Sequence, residues 1–428
     1  MRVFIGPVEV AGIGAGWAKG LRAIGINADL ISPYRHPFGY SNDAPPGRAT
    51  RTWARVGTWR AGLPRQRLFA KSFAILLQHL ISWWVLAWAL PRYDAFVFLY
   101  GETITNTRAE LTLLRAAGKR VVVVFVGSDA RPPYIDGGLF PADRPFDARA
   151  AAHAARRQHR KVRRLERGAS ACINAPATAH FHQRRFVNWF AFGIPRDVAP
   201  LAHVSPQRPV LRLLHSPSRP ALKGTSSIRA MVDRLNARGP MVELLIIEGR
   251  PNIEVILELR DCDLVVDQLY SDTPMAGFAT EGASQGCAVL VGGYRAEAIA
   301  RDLANLPVPP TCFVAPEDFE PMLERLVHDR DARESIGAAA RAFVAEQWPH
   351  AAVAQRLARV LRGDVPDTWW CDPVKVDYLH GCGLSEAVAR QRVRELVDSC
   401  GTSALQLDDK PKLRQAFVDF ARAAAGDA

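Results

Sequence analysis

The sequence has little that would take the chain into an oxidising compartment or carry it through a membrane. Seven cysteines occur in 428 residues, at positions 172, 262, 287, 312, 371, 382 and 400, and no two form a C-x-x-C pair. An odd, irregular set argues against a disulfide framework and for reduced thiols in the cytosol. His380 and Cys382 lie near Cys371 without matching a zinc-ligand spacing, so no metal is expected there. The N-terminus offers a lone Arg2 and no small-residue cleavage site behind an apolar core, which argues against a secretory signal. No apolar run of spanning length is unbroken. The best candidate, Ser72 to Leu90, is interrupted by Gln78, His79 and Ser82 and bracketed by Lys71 and Arg92. It reads as a buried helix or one lying against a membrane surface. The dinucleotide fingerprint is missing too, since the Gly-rich opening has the order G-x-G-x-G.

What is present is length, positive charge and alternation. A chain of this size is expected to hold two or three domains. Its formal charge of +12 suits a polyanionic partner, an anionic membrane surface or a phosphorylated substrate. Short apolar strands alternate with helical stretches from MRVFIGP through VVVVFV to SACIN, and again from VLRLLHS to CFVA. That alternation predicts an α/β fold of two Rossmann-like, doubly wound domains facing a cleft. The first spans about 1–200 and the second about 208–362, with closing helices interrupted at Trp348-Pro349. Residues 363–428 read as a small helical extension, with Ser385 as N-cap and Gly401 as stop. Residues 32–67, rich in Pro, Arg and Gly, read as a long loop.

The stretch HSPSRPALKG (215–224) leaves the carboxyl end of a buried strand with Arg219 and Lys223 beside a helix start. Free amides and the helix dipole favour an anion at such a place. Parallel sheets bind ligands at their carboxyl edges, so this loop and the opening loop with Gly12, Gly14 and Gly16 are expected to face one cleft.

The order of these stretches resembles the retaining glycosyltransferases of the GT-B architecture, in the group 1 or family 4-like set. The likeness runs from Met1 to about Leu361 and includes YDAFVFLYGETI, GKRVVVVFVGSDAR, HSPSRPALKGT, CDLVVDQ and GFATEGASQGCAVLV. It implies sugar transfer from a nucleoside-diphosphate sugar, UDP-linked by the family's habit, to a glycan, lipid-linked or small-molecule acceptor. Arg219 and Lys223 match the family's diphosphate-binding pair, and Glu281 matches its ribose-binding acid. Gly277, in the same motif, would let backbone approach the donor. No DxD-like metal motif stands in the matching regions, so a metal-independent reaction without a cofactor is expected.

Departures accompany the matches. Relatives commonly read His-Gly-Ser-Asp where this chain has Val126-Gly127-Ser128-Asp129, and Thr273 stands where a second Glu is usual. Asp129 is retained and is assigned to the catalytic set with Arg219 and Lys223, although a structural pair with Arg131 explains it equally. A non-catalytic GT-B homologue binding a glycan or a partner protein is the alternative. The run from Arg156 to Arg167 holds seven Lys or Arg in twelve positions. Together with Trp83, Trp84 and Trp88, it suggests peripheral association with an anionic membrane, at the inner face of the plasma membrane of a cytoplasmic protein. No aromatic-interleaved basic sheet or helix-turn-helix is visible, so nucleic acid is not expected as a partner.

Overall fold

The computed structural model describes residues 1–34, 39, 45–64, 66–198 and 208–423. Its first sheet contains β1 (Arg2–Gly6), β2 (Asn27–Leu30), β3 (Ala95–Leu99), β4 (Arg120–Val124), β5 (Ala171–Asn174) and β6 (Phe186–Asn188). They lie parallel in the order β2-β1-β3-β4-β5-β6. The second contains β7 (Leu211–His215), β8 (Val242–Ile246), β9 (Leu264–Val266), β10 (Ala288–Gly292) and β11 (Cys312–Val314), parallel in the order β8-β7-β9-β10-β11. Both sheets thus follow one doubly wound order. Each has a switch point beside its first strand, between β1 and β3 and between β7 and β9. The chain is therefore the two-domain α/β protein that the alternation predicts.

Strand pleating sorts the first core. Val3, Ile5 and Val97 face one side, Phe4, Phe96 and Phe98 the other, and all are fully buried. Helix α1 (Ile13–Ala23) covers the first side. On the second lie α2 (Gly47–Gly62), α3 (Leu68–Ala89), α4 (Arg108–Ala116) and α5 (Ala148–Gly168). The second domain carries α6 (Pro220–Lys223), α7 (Thr225–Asn236), α8 (Asn252–Leu259), α9 (Gly277–Gln285), α10 (Ala296–Asp302), α11 (Phe319–His328) and α12 (Arg330–Gln347).

Two expectations need correction. Residues 47–62, read as loop, form α2. Gly and Thr lower its helix propensity, but Trp53 is buried and donates Nε1–H to Ser82 Oγ at 3.1 Å. Tertiary packing overrides the local preference, and Pro46 and Pro64 flank the helix, one before its first turn and one after its end. Second, the chain does not stay with the second domain until 362. It turns at Pro349 and sends α13 (His350–Arg362) back across α1. Strand β12 (Trp370–Cys371) then pairs antiparallel with β6, while α14 (Glu386–Cys400) and α15 (Pro411–Arg422) bury Val393, Leu396 and Phe417 in the first domain's core. The expected linker boundary at 200–208 falls in 199–207, outside the described residues.

The return of α13 depends on two glycines one turn apart on α1. A Cβ on Gly16 would lie 2.5 Å from Pro195 Cγ, and one on Gly20 would lie 2.1 Å from the carbonyl oxygen of His350. A carbonyl cannot swing aside as a side chain can. Gly20→Ala is therefore expected to destabilise the protein by about 1–3 kcal/mol, the usual cost of overpacking. Denaturant unfolding measures it, and an unchanged midpoint would mean that α13 does not seat against α1.

Candidate functional site

The cleft is built at the β7/β9 switch point. Strand β7 ends at His215, whose buried ring bridges Val266 O at 2.9 Å and Thr225 Oγ1 at 2.8 Å, tying β7 to β9 and to the first residue of α7. Burial holds this histidine below its ordinary pKa, so it stays neutral in that bridge. Gly224, at φ 75°, turns the chain between α6 and α7. The loop between β7 and α6 is thereby fixed at the carboxyl edge of the sheet.

A cavity of about 270 Å³ opens there. Its wall includes Ser216 and Ser218 from the loop after β7, Lys223 from the end of α6, Asn252 from α8, Gly277 and Glu281 from α9, and Ala11 from the first domain. Glycine at 277 lets α9 approach that domain, since a Cβ there would stand 3.2 Å from Ala11 Cβ. The first turn of α9 has no side-chain cap, so its leading amides have no intrahelical acceptors, and Gly277 and Phe278 of that turn line the cavity.

Two of the three charged residues expected here meet in this cavity. Lys223 Nζ lies 3.0 Å from Oδ1 of Asp267, a carboxylate buried at the end of β9 whose other oxygen has no partner. Glu281 is buried, and its Oε1 accepts from Asn252 Nδ2 at 2.8 Å and from Arg196 Nη2. Burial raises its pKa, opposed by the Arg196 charge and the Asn252 amide. Arg219 stands apart. Its Nη1 reaches over to the first domain and donates to Gly138 O at 2.9 Å.

The opening loop touches the cavity through Ala11 and not through its glycines. Gly14 and Gly16 are buried packing positions against Glu9 and Leu30, and against Pro195 and His350. Gly12, at φ 78°, starts α1. The carboxylate of Glu9 already accepts the amides of Gly14 at 3.2 Å and Ala15 at 2.8 Å, so this helix end holds an internal anion.

Asp129 follows β4 and is buried. Its Oδ1 accepts Val126 N–H at 3.0 Å, while Oδ2 has no partner. Burial pushes its pKa up to about 6, against the lowering effects of the Val126 amide and the Lys161 charge. It is not paired with Arg131. That guanidinium bonds Asp136 Oδ2 at 3.0 Å and Asp272 from the second domain. Sequence reading missed Arg196, Asn252 and Asp267 as site residues. Asn252 and Asp267 each follow the carboxyl end of a strand, which is a signal that could have found them. Arg196 carries none. Among the described residues no group of three His, Cys, Asp or Glu is placed to hold a metal ion.

No protein-family model matches the chain, and no curated protein matches it either. Among solved structures it is similar to Alr3699/HepE of Anabaena in complex with UDP-glucose, at 13% identity and a TM-score of 0.48, over 85% of this chain and 99% of that one. It is similar to the glycosyltransferase SnogD from Streptomyces nogalater, at 15% identity and a TM-score of 0.41, over 84% and 99%. An alpha-glucosyltransferase in complex with UDP and a 13-mer DNA is similar at 10% identity and a TM-score of 0.49, over 84% and 99%. The fold itself is read from this chain's own two strand orders.

Proposed function

We propose that the chain is a glycosyltransferase that moves a sugar from a nucleoside-diphosphate sugar, UDP-linked, to a glycan, lipid-linked or small-molecule acceptor in the cytoplasm. The observation that carries this reading is the meeting of Lys223, the α9 amides and Glu281 around one cavity at the β7/β9 switch point. Departure of the sugar adds one negative charge to a diphosphate that already carries two, and the site must stabilise that charge as it forms. The first turn of α9 and the Lys223 ammonium supply fixed positive potential there without a metal. Arg219 would join them by exchanging its bond to Gly138 O for a phosphate oxygen. Both bonds to Glu281 fall on Oε1, which leaves Oε2 to accept from ribose hydroxyls. Retention of configuration is proposed on the family resemblance.

A second reading has its own observation. Asp129 is buried away from the cavity and Val126 replaces the usual histidine, which fits a homologue that binds a nucleotide sugar or glycan without transfer. The two readings separate on release of UDP or GDP from a panel of nucleotide sugars, with thermal stabilisation by each donor as the binding control. Stabilisation with no release under any acceptor condition would favour the second. Absence of both would remove the nucleotide-sugar assignment.

Lys223→Met is expected to weaken UDP binding by about 10–100-fold, the loss of one charge-assisted hydrogen bond worth about 1.5–3 kcal/mol. The substitution is not neutral for the fold, because it strands the buried carboxylate of Asp267. Lys223→Met with Asp267→Asn restores stability and should still bind UDP weakly by titration calorimetry. Unchanged affinity in the double variant would take Lys223 out of the diphosphate site.

A further inference from the structure

Helix α3 is apolar on two opposite faces, and among the described residues only one is covered. Ala74, Gln78, Ile81, Val85 and Ala89 are buried against the first domain. On the other side Phe69, Phe73, Leu76, Leu80 and Trp84 are between 48% and 95% exposed. At 100° per residue these five fall within an arc of about 80°, a continuous ridge along a helix of about 33 Å. Single exposed apolar residues are ordinary, but an aligned ridge marks an interaction surface.

Helix α2 lies alongside and supplies charge. Arg48, Arg51 and Arg55 share one exposed arc of α2 with Trp59 and make no ion pair among the described residues. Trp59 meets Phe73 edge-on at 6.5 Å between centroids, joining the basic stripe to the apolar ridge. The surrounding sequence is one-sided: residues 44–93 contain eight Lys or Arg and no Asp or Glu. By contrast, the charge run on α5 is partly tied down, since Lys161 pairs with Glu102, Arg163 with Asp409, and Arg164 donates to Asn106 O.

The geometry points to the α2–α3 face as a docking surface for the anionic leaflet of a lipid bilayer. Phe69, Phe73, Leu76 and Leu80 enter the acyl boundary, Trp59 and Trp84 sit at headgroup level, and the α2 arginines meet lipid phosphates. The covered face of α3 keeps the helix attached to its domain, so it lies in the interface plane. A second copy of the chain is a poor occupant, because two such faces would set the same unpaired cations against each other. The inference does not depend on the reading of the cleft.

The test is co-sedimentation of the full-length protein with phosphatidylcholine vesicles, with and without phosphatidylglycerol. Two triple variants at exposed positions separate the contributions. Phe69→Ser with Phe73→Ser and Leu80→Ser should weaken binding to the mixed vesicles by about 100-fold or more. Arg48→Gln with Arg51→Gln and Arg55→Gln should cost about fivefold per cation on the mixed vesicles and nothing on phosphatidylcholine alone. Salt should erase the preference for phosphatidylglycerol while leaving part of the binding, which screening does not reach. Both variants should melt as the parent does. Parent protein that sediments with neither vesicle overturns the inference, as does a ridge variant that binds like the parent. A parent dimer that the ridge variant converts to monomer would assign the face to self-association instead.

Discussion

Arg131→Met is expected to cost about 3–5 kcal/mol of stability, among the largest single losses available in this protein. The Arg131 side chain is 6% exposed and serves two carboxylates, Asp136 at 0% and Asp272 at 10%. Asp136 sits in the same loop and also accepts the amide of Gly138 at 2.7 Å. Asp272 comes from the second domain, so the guanidinium holds the two domains together across the cleft. Removing it deprives the buried Asp136 and the partly buried Asp272 of their cation at once, and the penalty is their desolvation more than the loss of the contact. Asp272→Asn should cost less, since Arg131 then keeps Asp136 and no buried anion is left alone. Combined with Asp272→Asn, Arg131→Met should be milder than its effect alone would predict, because the two sites are coupled. Denaturant unfolding of the three variants at neutral pH decides it. A loss below about 1 kcal/mol for Arg131→Met would show that water reaches both carboxylates.

How far the sequence discloses this architecture depends on the range of the interaction. Runs such as VVVVFV and VLRLLH announce buried parallel strands because the signal is local. HSPSRPALKG could be placed at the carboxyl edge of a strand from its neighbours alone. Helix α2 could not, because Gly47, Gly57 and four threonines and glycines around them argue for loop, and Trp53 reverses that only after meeting α3. The partner of Arg131 lies 141 residues away in Asp272, and nothing near Asp129 shows that the nearer acid is left out. The return of the C-terminal segment is equally hidden. Its pairing to β6 uses two residues, Trp370 and Cys371, too short a run to read as a strand. The glycines of the opening loop show the converse error. Their spacing invites a ligand, whereas Gly16 and Gly20 make room for Pro195 and α13.

Asp129→Asn is expected to stabilise the protein at pH 8 by about 2–3 kcal/mol and to leave it unchanged below pH 4. The sign follows from burial. The folded state holds this carboxyl at about 6, above its ordinary value, so folding favours the protonated form. Its favourable contribution is complete where both states are protonated and is lost as pH rises through the folded value. Above that, the folded chain must carry a buried carboxylate whose Oδ2 has no partner and whose relief comes from the Val126 amide and then the Lys161 charge. Asparagine keeps an oxygen for the Val126 amide, carries no charge, and so should gain over the parent progressively between about pH 4 and 6. A flat difference across that range would mean that the ionised form is already solvated. Donor turnover then separates the roles. A variant that is more stable yet inactive places the Asp129 carboxylate in the reaction, where a protein tolerates an unfavourable buried charge for the sake of function. One that is more stable and fully active leaves Asp129 as the loop's hydrogen-bond acceptor, and moves the chemistry to the second domain's side of the cleft.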